Sequence, residues 1–312
     1  MMHHLRHRLI PSAQSVIARQ CTTQLFSRTA TPAVLLSARA YSSRPTSSFS
    51  IHKDEQHPNV VVLTLHQSAF SYETAKEMVE KWKSIEKDES VRAVLLKSDL
   101  KSIFCAGIDF KEFMQGKEHF AQYWSTIRDV FEVMYGSRLN SASAIHGHAL
   151  GLGCVLAMAC QDRFMIHQLA GQKKGPTIGL NEVAVGVPVP EWLSHLFMLQ
   201  TSQRAAEKCL PVGAILNTQQ AAEIGLVDAV PGCEDQQQLD RFVIEHLAKR
   251  SKSPKIAQRE TMKNVRGQFL ETFRQSREKD LTSIVKYVHE EEAQAILKAA
   301  QAALVNKSKP KA

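Results

Sequence analysis

The chain lacks the features that mark several protein classes. Its 312 residues contain no run of about 18 consecutive apolar residues, so we expect no membrane-spanning helix. Its six cysteines form no C-x-x-C pair, and their spacing fits no zinc site. A P-loop and a dinucleotide-binding glycine motif are also missing, so neither ATP nor NAD is implied. With 44% apolar and 22% charged residues, the composition is that of an ordinary globular protein.

Acidic residues are missing from the first 50 positions, which contain six arginines and no lysine. An acid-free segment rich in Arg, Ser and Thr is typical of a mitochondrial transit peptide. We therefore expect residues 1–48 to be a targeting segment, cleaved after Tyr41, and the mature protein to lie in the mitochondrial matrix. A basic tail that stays attached is the alternative. Without those six charges the net charge of +8 falls to about +2, which gives little support for a nucleic-acid partner.

Alternating strand and helix patterns predict an α/β core over residues 49–230. The predicted buried strands, rich in β-branched or small apolar residues, cover residues 59–66, 91–97, 141–147 and 162–166. The predicted helices of this core include residues 71–87, 120–137 and 150–160. We expect Ser71 to cap the first of them, and Thr218 to cap a later short helix that ends at Gly225. From residue 231 to residue 312 the pattern is almost wholly helical, so we expect a helical C-terminal region there.

Two glycine-containing segments each leave a predicted strand and enter a predicted helix. They are "FCAGIDF" at residues 104–110 and "HGHALGLG" at residues 146–153. Glycine allows another part of the backbone to come close, and a helix N-terminus presents unpaired N–H donors. If two such donors converge, they form a site for a developing oxyanion. From the residues alone, two ordinary tight turns remain the alternative.

The order and spacing of the motifs provide a resemblance. "FCAGIDF" followed by "IHGHALGLGCVLAMAC" resembles the enoyl-CoA hydratase/isomerase (crotonase) family. "IGLNEVAVGVPVPEWL" and the segment after it are similar to the mitochondrial Δ3,Δ2-enoyl-CoA isomerase branch. The resemblance covers about residues 58–260. It implies an α/β, crotonase-like spiral of ββα units with a helical C-terminal region. It also implies an acyl-CoA thioester substrate, a homotrimer, and no cofactor beyond the CoA that the substrate carries.

The resemblance also implies roles for individual residues. The backbone N–H groups of Ala106 and Leu152 would receive the thioester oxygen, although the family more often has glycine at the second position. Glu182, in "GLNE", would be the general base. Asp109 is expected to cap a helix, and Cys105 to be a reactive thiol if it is exposed. The predicted substrate contacts are Phe104, Gly107, Ile108, Gly151 and Lys101, the last of them for the CoA phosphates.

The resemblance distinguishes between two reactions. Hydratases of the family use two glutamates, and Val155 stands at the first of those positions. A single carboxylate, Glu182, favours the isomerisation of 3-enoyl-CoA to (2E)-enoyl-CoA in the β-oxidation of unsaturated fatty acids. The alternatives are a hydratase, another enolate-forming crotonase, or a non-catalytic acyl-CoA-binding protein, which the leucine at position 152 keeps open. His146 and His148 are expected to be structural.

Overall fold

A computed structural model describes residues 47–168, 170–172, 174–233 and 235–308, with side chains up to residue 303. The predicted targeting segment therefore lies outside the described residues, except for its last two positions. Within these ranges no helix is long and apolar enough to cross a membrane.

The described residues form twelve strands. They are β1 (Phe49–Lys53), β2 (Val60–Leu65), β3 (Ala69–Phe70), β4 (Ala93–Ser98), β5 (Ile103–Cys105), β6 (Gly107–Ile108), β7 (Asn140–Ile145), β8 (His148–Leu150), β9 (Asp162–Ile166), β10 (Thr177–Gly179), β11 (Leu216–Asn217) and β12 (Asp228–Val230). A six-stranded sheet has the order β1-β2-β4-β7-β9-β12 and is parallel except for the β1–β2 pair. A four-stranded sheet has the order β11-β10-β8-β5, and β3 pairs with β6.

The helices alternate with these strands and then continue without them. They are α1 (Tyr72–Lys87), α2 (Lys117–Tyr135), α3 (Leu152–Ala159), α4 (Glu191–Gln200), α5 (Gln203–Cys209), α6 (Thr218–Glu223), α7 (Gln236–Arg250), α8 (Lys255–Gln275), α9 (Arg277–Val288) and α10 (Glu291–Ser308). Short 3₁₀ helices span Phe110–Met114, Glu182–Val185 and Leu210–Val212. The predicted helical C-terminal region is thus confirmed.

The chain order of these elements confirms the predicted spiral of ββα units. Strands β4, β7 and β9 each lie in the six-stranded sheet, and each is followed by a strand of the four-stranded sheet. A helix then completes each unit: α2 after β6 and a 3₁₀ helix, α3 directly after β8, and α4 after a further 3₁₀ helix. All six residues of β2 and of β7 are buried, as expected for parallel strands covered on both faces. Since β5, β8 and β10 run parallel, their carboxyl ends meet at one edge of the smaller sheet.

Local capping decides where several helices begin. The predicted Ser71 cap is confirmed, because its side chain accepts the Thr74 N–H. The cap expected at Thr218 was wrong by one residue. Asn217 and Gln220 form a reciprocal capping box, and the Thr218 hydroxyl instead donates to the Ile166 carbonyl at 2.6 Å.

A buried ion pair joins the helical C-terminal region to the α/β core. The Arg128 side chain on α2 is fully buried and donates to the Asp280 carboxylate on α9 at 2.7 Å. The Trp124 indole N–H donates to the same carboxylate oxygen at 2.8 Å. The Arg128 guanidinium also lies 4.0 Å from the centre of the Phe273 ring. Because both charges are shielded from water and paired, this contact fixes α9 against α2.

Candidate active site

The turn between β8 and α3 presents a free backbone donor. Gly151 has φ +51°, which an L-residue with a side chain rarely adopts, and its own N–H donates to the Gly179 carbonyl at 3.0 Å. Leu152 follows as the first residue of α3. Among the described residues its N–H finds no acceptor, as is usual in the first turn of a helix. The Leu152 side chain is buried in the main hydrophobic core.

The structure brings the "FCAGIDF" segment against this turn. A Cβ atom on Gly107 would lie 3.2 Å from the Leu150 carbonyl oxygen and 3.7 Å from the Leu152 nitrogen. The carboxyl end of β5 and the start of β6 therefore lie beside the free Leu152 N–H. The predicted convergence of the two segments is present in the fold.

The Ala106 N–H, predicted as the first donor, is not free. It donates to the Ser68 carbonyl at 2.6 Å, and the Asp109 N–H donates to the Phe70 carbonyl at 2.9 Å. Both groups point toward β3. Successive N–H groups of an extended strand point to opposite sides, so we expect the Ile108 N–H, next to Asp109, to point away from β3. An oxyanion role for Ala106 would require its hydrogen bond to Ser68 to break.

The motif alone cannot show whether the N–H of Ala106 or the N–H of Ile108 is the donor. Ile108 was predicted only as a substrate contact, and its side chain packs against the core. Which of the two N–H groups already has an acceptor depends on the pairing of β6 with β3. No local pattern in "FCAGIDF" encodes that pairing. The remaining expectation for this segment is confirmed, since Asp109 caps the 3₁₀ helix by accepting the Lys111 N–H at 3.0 Å.

Glu182 lies at the same edge of the smaller sheet. It begins a 3₁₀ helix three residues after β10, and a Cβ atom on Gly151 would be 4.0 Å from its Oε1. The residue as a whole is partly exposed, but its Oε2 is buried and has no hydrogen-bond partner within the described ranges. Burial raises the pKa of Glu182 to about 7, although its own backbone N–H acts to lower it. Near neutral pH this carboxyl group can both accept and release a proton.

The position that distinguishes hydratases from isomerases carries no ionisable group. Val155 lies one turn into α3 and is only 3% exposed. Its side chain belongs to the main hydrophobic core and cannot hold a proton or orient a water molecule. Glu182 is therefore the one carboxylate of the predicted pair that this chain has.

Neither cysteine at the site is a reactive thiol. Cys105 and Cys154 are fully buried, and burial raises the pKa of Cys105 to about 12. The possibility of an exposed thiol at Cys105 is thereby corrected, since the β5 side chain faces the core. His146 and His148 contact protein groups, namely the Leu100 carbonyl and the Thr177 hydroxyl, each at 2.7 Å.

The remaining predicted contacts lie at different depths. Phe104 is fully buried in the core, so its role in contacting substrate stays a prediction. Lys101 is exposed in the turn before β5, whereas Gly107 and Gly151 lie beyond the carboxyl ends of β5 and β8. A contact between Lys101 and the CoA phosphates likewise stays a prediction.

The C-terminal helix of the same chain packs on the loop that carries Glu182. Gly186 ends the 3₁₀ helix with φ +78°, and a Cβ atom there would lie 2.8 Å from Ile296 Cδ1 and 3.2 Å from Ala293 Cα. Ala293 and Leu297 of α10 are buried. α10 therefore packs closely against the end of the 3₁₀ helix that begins with Glu182. The sequence motifs did not predict this contact.

Sequence and structure comparisons identify proteins that are similar to this chain. The sequence model of the family described as enoyl-CoA hydratase/isomerase matches residues 55–311. The mitochondrial enoyl-CoA delta isomerase 1 of Rattus norvegicus is 35% identical over 165 residues, which are 52% of this chain and 55% of the rat protein. The chain thus spans about half the length of that relative. The Homo sapiens protein of the same name is 28% identical over 231 residues, 74% of each chain.

A solved structure shows the same architecture. The crystal structure of human mitochondrial delta3-delta2-enoyl-CoA isomerase superposes with a TM-score of 0.77 and 26% sequence identity. The superposition covers 84% of this chain and all of the human one.

Proposed function

Because this chain belongs to the enoyl-CoA hydratase/isomerase (crotonase) family and is similar to its delta isomerases, we propose that it converts 3-enoyl-CoA to (2E)-enoyl-CoA. The observation that carries the proposal is the single buried carboxylate of Glu182 beside the Gly151 turn, with Val155 in place of a second glutamate. One proton-carrying group next to an oxyanion site suits a proton shuttle better than the addition of water.

In the proposed mechanism Glu182 moves one proton. The C2 protons of a 3-enoyl thioester are acidified by both the carbonyl and the double bond, and the ionised carboxylate removes one of them. The electron pair of the broken C–H bond delocalises into a dienolate, which places negative charge on the thioester oxygen. The protonated Glu182 then returns the proton to C4, and the double bond shifts from C3–C4 to C2–C3. No other reactant is consumed.

The fold offers donors for the charge that develops. We assign the thioester oxygen to the N–H groups of Leu152 and Ile108, since the N–H of Ala106 is bonded to Ser68. Removing one such donor from an enzyme typically costs about 10²–10³-fold in rate. A base whose pKa is about 7 is also well matched to catalysis near neutral pH.

The test is an isomerase assay with a matched hydratase assay. Purified protein is given 3-hexenoyl-CoA, and 2-enoyl-CoA formation is followed by absorbance, with native protein and with Glu182→Gln. We expect turnover by the native protein and a loss of about 10²–10⁴-fold in the variant, because a positioned base contributes that much. Turnover that the variant retains would show that Glu182 is not the base. Hydration of (2E)-butenoyl-CoA faster than isomerisation would favour a hydratase, and binding without either reaction would favour a non-catalytic acyl-CoA-binding protein.

We further propose that the protein acts in the β-oxidation of unsaturated fatty acids in the mitochondrial matrix, as a homotrimer. The proposed location is supported by the mitochondrial names of the relatives and by the acid-free, arginine-rich N-terminal sequence. Sedimentation equilibrium would test the assembly, and a monomer at all concentrations would contradict it. Lys101→Ala should raise the KM for the CoA substrate if that side chain contacts its phosphates.

A further inference from the structure

Asn181 is a polar side chain of the site to which no role has yet been given. It directly precedes Glu182, and a Cβ atom on Gly151 would lie 3.3 Å from its Oδ1. The same point is 4.0 Å from Glu182 Oε1. The Asn181 carboxamide and the Glu182 carboxylate therefore reach the same turn, the one whose next residue, Leu152, carries the free N–H.

The Asn181 side chain has no partner in the described part of the chain. It stands at the N-terminus of the 3₁₀ helix Glu182–Val185 but makes no capping hydrogen bond, and no other described group bonds to it. Two other asparagines do use their side chains. Asn140 donates to the Gln258 side chain at 3.1 Å, and Asn217 accepts the Gln220 N–H at 2.9 Å.

An unused carboxamide in this place is unusual. Asparagine is favoured at helix N-termini because its side chain normally satisfies a backbone donor there. Asn181 is partly buried, so its polar atoms lose part of their contact with water without gaining a protein partner. Such a group next to a reactive site fits a ligand that supplies the missing hydrogen bond.

We propose that the Asn181 carboxamide is a further donor to the thioester oxygen, an inference that rests on the proposed isomerase function. The amide nitrogen and oxygen exchange places by rotation about the last side-chain bond, so either can face the Gly151 turn. As the dienolate forms, the N–H shares the negative charge with the backbone donors. The side chain makes no covalent bond and moves no proton.

The proposed role can be measured without turnover. A 3-oxoacyl-CoA such as acetoacetyl-CoA ionises to an enolate that absorbs in the near ultraviolet, and its oxygen carries the charge that the donors would stabilise. The variant is Asn181→Leu, which keeps a similar size and removes the donor. Asn264→Ala, at an exposed position on α8, is the matched control. Glu182→Gln is a second control, because it removes the base but keeps the donors.

Asn181→Leu should reduce the enolate fraction of bound acetoacetyl-CoA at a given pH. It should also lower kcat for 3-hexenoyl-CoA by roughly 10²-fold, the lower end of the range for an oxyanion donor. Affinity for saturated hexanoyl-CoA should change less than about threefold, since the uncharged carbonyl gains little from the donor. Glu182→Gln should retain the enolate band, and Asn264→Ala should resemble the native protein in every measurement.

Two results would overturn the role of Asn181 alone. One is an unchanged enolate fraction in Asn181→Leu while the native protein ionises acetoacetyl-CoA and isomerises 3-hexenoyl-CoA. The other is a loss of affinity for hexanoyl-CoA as large as the loss of kcat, together with a lower melting temperature. That result would mean that Asn181 only holds the loop. If the native protein neither ionises the one ligand nor isomerises the other, the proposed function fails together with this inference.

Discussion

Replacing Glu182 with glutamine should make the protein inactive and, at neutral and alkaline pH, more stable. Burial raises the pKa of this carboxyl group from an ordinary value of 4.5 to about 7. In the folded protein the proton is therefore held more tightly than in the unfolded chain. The folded state is penalised whenever solution pH forces the group to ionise, and glutamine removes that penalty.

The size of the effect follows from the two pKa values. They differ by about 2.5 pH units, and each unit corresponds to about 1.4 kcal/mol. Below pH 4.5 the group is protonated in both states and costs nothing. Between pH 4.5 and 7 the native protein loses stability relative to the variant, and above pH 7 the loss levels off at about 3.5 kcal/mol at most. For a chain of this size that corresponds to roughly 5–10 °C in melting temperature.

The measurement is a series of thermal or urea unfolding curves from pH 4.5 to pH 9 for native protein and Glu182→Gln. Glu245→Gln, an exposed position on α7, is the matched control and should show no such pH-dependent gain. The same pKa should govern catalysis in the native protein. Since the base must be ionised, kcat/KM for 3-hexenoyl-CoA should rise with pH through an inflection near 7.

Two outcomes would refute this reasoning. A stability gain that is the same at every pH would mean that the variant changes packing and that Glu182 does not titrate as its burial requires. A less stable variant above pH 7 would mean that the ionised carboxylate has a partner that stabilises it, in conflict with the unpaired Oε2.

Three other changes test the surroundings of the site. Gly186→Ala should cost about 1–3 kcal/mol of stability and expose α10 to proteases, because φ is +78° and Ile296 fills the space; unchanged proteolysis would contradict this packing. Arg128→Met should lower the free energy of unfolding by about 3–5 kcal/mol, because it leaves Asp280 buried and unpaired. Asp280→Leu in the same chain should recover much of that stability, and no recovery in urea unfolding would argue against the pair. Cys105 should not react with a thiol reagent at pH 8 until the chain unfolds, since burial raises its pKa to about 12. Fast labelling of the folded protein would show that the thiol is exposed.

The elements of the fold were readable from the sequence because they are set by local rules. The alternation of β-branched strands with amphipathic helices predicted the α/β core, and the Ser71 cap fixed the start of α1 within one residue. The error at Thr218 has the same local origin. Asn217 and Thr218 are both good caps, and only the neighbouring Ile166 carbonyl, brought near by β9, decides between them.

Residue types at the site were also determined by the sequence alone. The glycine segments predicted two turns, and the family resemblance implied that they converge. "GLNE" contained the carboxylate that the structure places beside one of them. Val155 could be recognised from the sequence alone as apolar and hence unable to carry a proton.

Only the tertiary structure decided the properties that depend on distant neighbours. The Ser68 carbonyl, just before β3, accepts the Ala106 N–H, and this contact with a segment some 40 residues away in sequence leaves Ile108 as the candidate donor. The raised pKa of Glu182 comes from the surfaces that exclude water around it, and α10 holds its loop from more than 100 residues away. Periodicity and capping act over a few residues, so the sequence encodes them directly. Desolvation and hydrogen-bond competition depend on which groups finally surround an atom, and that is fixed only when the chain has folded.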